Sequence, residues 1–149
     1  MMTRQTLFIL LLSILSACST TIPKQLNGTW QMTTVYDNSS DVTAQHNPQK
    51  NRWITFYKDG SFRSGGQPYG ENGGQWTYNT QNNILYLDSD AGEGDDSYWL
   101  LNINKKSMDW AGTKSSFTER FKIFYTKLDF SHLKMESEVN KEENQVEKT

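Results

Sequence analysis

The residue types that could do chemistry are few and scattered. Cys18 is the single cysteine of the 149-residue chain, so it has no partner for a disulfide. The segment DSDAGEGDD places Asp88, Asp90, Glu93, Asp95 and Asp96 close together, and hard carboxylate oxygens in that density invite calcium. The spacing argues against it: Gly92 stands where the regular calcium loop needs its fifth-position ligand, and no Glu closes the loop. The segment therefore reads as a solvated hairpin loop. His46 and His132 lie far apart, without cysteine or acidic residues at ligand spacing, so no metal is assigned. GGQPYGENGG lacks the Gly-Lys-Ser/Thr of a phosphate cradle and reads as a flexible loop with Tyr69 at its tip. No Gly-x-Ser-x-Gly occurs, and neither histidine sits in a catalytic context, so the expectation is no enzyme, no catalytic residue and no cofactor.

Cys18 gains a meaning from what precedes it. MMTRQTLFILLLSILSAC carries Arg4, then an apolar run from Leu7 to Leu15, then the small residues Ser16 and Ala17. That is the order of a secretory signal, and the run is too short for a permanent bilayer span. Leu15-Ser16-Ala17-Cys18 resembles a bacterial lipobox. The resemblance implies cleavage before Cys18, a diacylglycerol on its sulfur and an acylated amine, with palmitate-type chains holding the protein to a membrane. Each buried CH₂ contributes roughly 0.8 kcal/mol, so several chains on one residue make a firm anchor. Ser19, where Asp would signal inner-membrane retention, points to the outer membrane of the cell envelope.

These readings divide the chain into a signal peptide (1–17), a lipidated tether (18–25), a β-barrel domain (26–130) and a charged tail (131–149). The tail has too few apolar residues to offset its ordering entropy and is expected to be disordered. The formal net charge is −2, and the stretch from Cys18 to Met135 is balanced, with twelve Lys/Arg against twelve Asp/Glu. A balanced domain lacks the basic face that nucleic acid requires.

Within the domain, alternation and turn signals recur without a helical period. Strands are expected at 28–37, 52–58, from Phe62, at 75–80, 84–89, 97–104, 107–112 and 117–128, with a polar loop between the first two. Asp59-Gly60 is a strong hairpin signal. Trp30, Met32, Thr34 and Tyr36 should share one face of the first strand. Eight antiparallel strands joined by hairpins predict an all-β, up-and-down barrel, since closure removes exposed edges. The short third strand could leave a gap in it.

LNGTW (Leu26–Trp30), ITFYKDGSF, GGQWTY, NILYLDS and YWLLNINKKSMDWAG follow one another in an order that resembles the lipocalin-like domains of small bacterial lipoproteins. The resemblance implies a calyx closed at one end by the Gly-x-Trp tryptophan, Trp30, with a basic side chain of the last strand over its ring. Lys127 fits that place by strand pairing and alternation, where lipocalins carry Arg. The inward set comprises Met32, Ile54, Phe56, Phe62, Trp76, Tyr78, Leu85, Leu87, Trp99, Leu101, Ile103, Met108, Trp110, Phe121, Ile123 and Tyr125. Of these, Met32, Phe56, Phe62, Trp76, Tyr78, Leu87, Trp99, Leu101, Trp110, Phe121 and Tyr125 are candidates to line a cavity. An eight-stranded barrel is just wide enough to be filled by side chains or to hold one small ligand. Two functions follow: a lipid-anchored envelope protein binding a small apolar molecule at an end rimmed by the 37–51, 64–74 and 88–96 loops, or a filled barrel that docks an envelope protein partner.

Overall fold

The computed structural model describes residues 24–113 and 117–129. The signal segment with Cys18, most of the tether, and the tail with His132 lie outside the described residues. Nine strands form one antiparallel sheet: β1 Gly28–Asp37, β2 Ser40–Asp41, β3 Trp53–Phe56, β4 Ser61–Gly65, β5 Asn72–Asn79, β6 Ile84–Ser89, β7 Ser97–Ile103, β8 Ser107–Gly112 and β9 Phe121–Lys127. A four-residue helix, α1 (Thr43–His46), and a 3₁₀ turn at Glu93–Asp95 complete the elements. Each strand from β3 to β9 pairs with its sequence neighbour, and β1 pairs with both β3 and β9. Eight strands thus close an up-and-down barrel, and β2 is an appendage folded back on the end of β1. The short β4 pairs fully on both sides, so no gap opens there.

Alternation builds the wall. In β7, Ser97, Trp99 and Leu101 face in while Tyr98 and Leu100 face out, and β5 repeats the pattern with Trp76 and Tyr78 inside. Aromatic side chains suit a pleated, half-buried surface. The core they make runs from Leu26 and Trp30 at one end to Val35 and Trp99 towards the other. Rings pack edge-on or tilted, as with Phe56 against Trp76 at 5.4 Å and Trp110 against Tyr125 at 4.8 Å.

Four expectations need correction. Thr34 and Tyr36 do not share the inward face of Trp30 and Met32. The β1–β9 register shifts between Met32 and Thr34, so Thr33 is an extra residue and the phase inverts. Val35, 1% exposed, turns inward instead, and Tyr36 packs edge-on against the outward Phe124. The polar loop after β1 is not featureless, since it folds into β2 and α1. Much of the Gly-rich segment is strand rather than loop, because Ser64 and Gly65 end β4 and Asn72 to Gly74 begin β5. The last strand starts at Phe121, not Phe117, and residues 117–120 form a turn.

Candidate functional site

The two ends of the barrel differ. At one end Gly28, with φ of +116°, brings the chain in under Lys127, and Trp30 is completely buried. Trp30 donates its indole N–H to the Leu26 carbonyl at 2.8 Å. Lys127 Nζ lies 4.9 Å from the Trp30 ring centroid and donates to the Gln25 carbonyl at 2.8 Å. The β1–β9 register places Lys127 opposite Trp30. A cation–π contact of this kind is worth about 0.5–1 kcal/mol at an exposed site. The short β3–β4, β5–β6 and β7–β8 connections gather at this end, and with the indole they close it.

At the other end the longer connections gather: 38–52, 66–71, 90–96 and 113–120. Between them opens a cavity of about 490 Å³ with Val35, Trp99, Phe121 and Ile123 as apolar walls and His46, Arg52, Tyr69 and Asn72 as polar ones. Beneath it a smaller chamber of about 150 Å³ is bordered by Met32, Phe62, Leu87, Trp110 and Tyr125, and shares Arg52, Ser64, Asn72, Asp95, Trp99 and Ile123 with the mouth. Of the side chains expected to line a cavity, Met32, Phe62, Leu87, Trp99, Trp110 and Tyr125 border the chamber and Phe121 the mouth. Phe56, Trp76, Tyr78 and Leu101 are buried in the core. The barrel is therefore solid towards its floor and hollow towards its mouth.

The mouth is built by local hydrogen bonds. Val35 N–H donates to Thr43 Oγ1 at 2.9 Å, and Thr43 N–H to Asp41 Oδ1 at 2.8 Å, which folds α1 over the end of β1. Asn47, 2% exposed, donates to the Met32 carbonyl at 2.9 Å and accepts from Arg52 N–H at 3.0 Å. It thereby serves backbone groups beside the β1 bulge. His46 and Tyr69 then meet across the opening, with Tyr69 Oη 2.9 Å from His46 Nδ1. The Arg52 guanidinium lies 4.7 Å from the Tyr69 ring centroid, and Phe121 packs edge-on against His46 at 5.5 Å. Tyr69 thus stands at the rim in the turn at 67–69, 60% exposed as expected, but with its hydroxyl and ring face engaged by His46 and Arg52.

Burial holds the His46 imidazolium below its ordinary value of 6.5, and the positive charge of Arg52 pushes the same way. The folded state therefore favours neutral His46. Its contribution to stability is present above pH 6.5 and is lost as pH falls through the lower folded value. An NMR titration should find the His46 midpoint below 6.5, and Arg52→Gln should move it upward. A midpoint at or above 6.5 would contradict this geometry.

The acidic segment is dispersed rather than convergent. Asp96 accepts from Ser89 N–H at 2.9 Å and from the Tyr86 hydroxyl at 3.0 Å. The bond to Asp96 is the main reason Tyr86 is pushed up to about 12. Asp88 faces outward on β6, and Asp95 borders the mouth. Among the described residues no group of three His, Cys, Asp or Glu side chains converges for a metal ion.

Arg52 was not expected at the site, while His46, Asn72 and Asp95 lie in segments expected at the rim but were not singled out there. Arg52 had a readable signal, since it shares the phase of the inward Ile54 and Phe56. His46 had none, because only α1 and the bulge bring it to the rim.

This barrel has a solved counterpart. It is similar to the crystal structure of a duf4847 family protein from Bacteroides vulgatus ATCC 8482, with a TM-score of 0.51 and 16% identity. The match covers 71% of this chain and 97% of that one. At that identity the likeness shows the fold alone. No family model and no curated protein matches the chain.

Proposed function

We propose that the protein is a lipid-anchored binding protein of the bacterial cell envelope, with a lipocalin-like barrel that holds a small, largely apolar molecule at its open end. The observation that carries this reading is the mouth cavity of about 490 Å³, whose lining is shared between an apolar side (Val35, Trp99, Phe121 and Ile123) and a polar side with Arg52, His46 and Asn72. Concave, mostly apolar sites with a small number of placed polar groups are the usual form of a small-molecule site. Affinity would come from burying ligand surface at roughly 25 cal/mol per Å². The anchor rests on Cys18 and its preceding Leu-Ser-Ala, and Ser19 favours the outer membrane. The role is binding rather than catalysis.

The apolar fluorescent probe N-phenyl-1-naphthylamine tests the cavity. It should brighten on saturable one-to-one binding, and Ile123→Glu, which puts a charge into the wall, should abolish that response. Unsaturable binding, or binding that Ile123→Glu leaves intact, contradicts the reading.

A second reading, docking of an envelope protein, has its own support on the outer wall. Tyr86 and Tyr98 stack there at 4.6 Å, and Leu100 beside them is 48% exposed.

A further inference from the structure

We infer that the inner chamber is a head-group site for a carboxylate, received by Arg52 and Trp110, while the apolar remainder of the same ligand lies in the mouth. The inference rests on the ligand-binding reading above and names the ligand class.

Arg52 stands where the two spaces join and borders both. Its guanidinium reaches inward: Nη1 lies 3.7 Å from the sulfur of Met32, which is 3% exposed. Nη1 also donates to the His46 carbonyl at 3.2 Å. Its charge is felt by the buried Tyr125 hydroxyl, where it opposes the upward push of burial. Yet it forms no ion pair with a carboxylate of the described residues, whereas Arg120 on the rim pairs with Asp37. Glu71 borders the mouth and Asp95 borders both mouth and chamber, but both are exposed and neither pairs with the guanidinium. Arg52 Nε and Nη2 thus have no acceptor among the described residues.

A second donor borders the same chamber. Trp110 is 3% exposed, and its indole N–H has no acceptor among the described residues. Indole nitrogen can only donate, and a guanidinium can only donate, so both seek oxygen. A partly desolvated cation without a counter-charge is costly, and a carboxylate matches the planar guanidinium fork. Val35, Phe121 and Ile123 then face the chain that follows the head group.

The test compares sodium octanoate with octan-1-ol, which shares its chain length and lacks the charge. Binding to the full-length protein is followed by calorimetry and tryptophan fluorescence at neutral pH. Octanoate should bind at least about tenfold more tightly than octan-1-ol, the scale of a hydrogen bond to a charged group. Arg52→Gln should bring that ratio to about one, Arg52→Lys should leave it in between, and Trp110→Phe should weaken octanoate by about threefold or more. If octan-1-ol matches octanoate on the unmodified protein, or Arg52→Gln preserves the ratio, the head-group site is overturned and the binding cavity stands. If neither compound binds at millimolar concentration, both are overturned. Should Arg52→Gln fail to fold, the comparison on the unmodified protein decides.

Discussion

Replacing Trp30 by alanine should lower the free energy of unfolding by about 3–5 kcal/mol, the range for emptying a large aromatic site in a core. Trp30 is fully buried, pairs in register with Ile54 on one side and Lys127 on the other, and so stands at the seam where the first and last strands close the barrel. Its removal leaves a void in the closed floor, the Leu26 carbonyl without its donor, and Lys127 without its ring. Trp30→Phe should cost less, since it keeps most of the packing and loses the hydrogen bond. Urea denaturation followed by far-UV circular dichroism reads both. A loss below about 1 kcal/mol for the alanine variant would mean that the floor is not closed by this residue.

The second large effect falls on a glycine that carries no side chain to lose. Gly74 has φ of +152°, and a Cβ built there would lie 1.9 Å from the Asp88 carbonyl oxygen of the neighbouring strand. Gly74→Ala must therefore push β5 and β6 apart where Gly74 pairs with Ser89. Overpacking of this kind costs about 1–3 kcal/mol, and the strained backbone adds to it. A destabilisation of about 3 kcal/mol is expected in the same denaturation experiment. Gly70→Ala makes the control: its added Cβ meets nothing within 4 Å, so only its φ of +75° opposes the change. Equal losses at the two positions would show that conformation alone, and not strand contact, decides.

The barrel was legible because its wall follows a period of two. β1, β6 and β8 begin and end where alternation and turn residues place them, and the Gly28–Trp30 entry with Lys127 opposite follows from pairing the first strand with the last. The phase error in β1 arose from one inserted residue at Thr33, which leaves no mark in composition or hydropathy. The error at 117–120 arose because Phe117 and Thr118 look like strand residues but turn the chain towards the mouth.

The site was half legible. At the upper ends of the strands the inward phase is polar: Arg52 before β3, Ser64 in β4, Asn72 in β5, Ser89 in β6 and Ser97 in β7. Below them the same phase is aromatic and aliphatic. That switch along each strand marks a hollow mouth over a solid floor. The neighbourhood of His46, Tyr69 and Phe121 could not be read, since three separate segments supply it and only the folded connections bring them together.

The most direct test of the ligand-binding account is native mass spectrometry of the protein extracted with detergent from the envelope of its own host, beside the Ile123→Glu variant prepared in the same way. The account predicts a small-molecule mass on the unmodified protein that leaves on denaturation and is missing from the variant, together with an acyl mass at Cys18 in both. An unmodified protein that flies as bare acylated chain, indistinguishable from the variant, would contradict the claim that the barrel mouth holds a ligand.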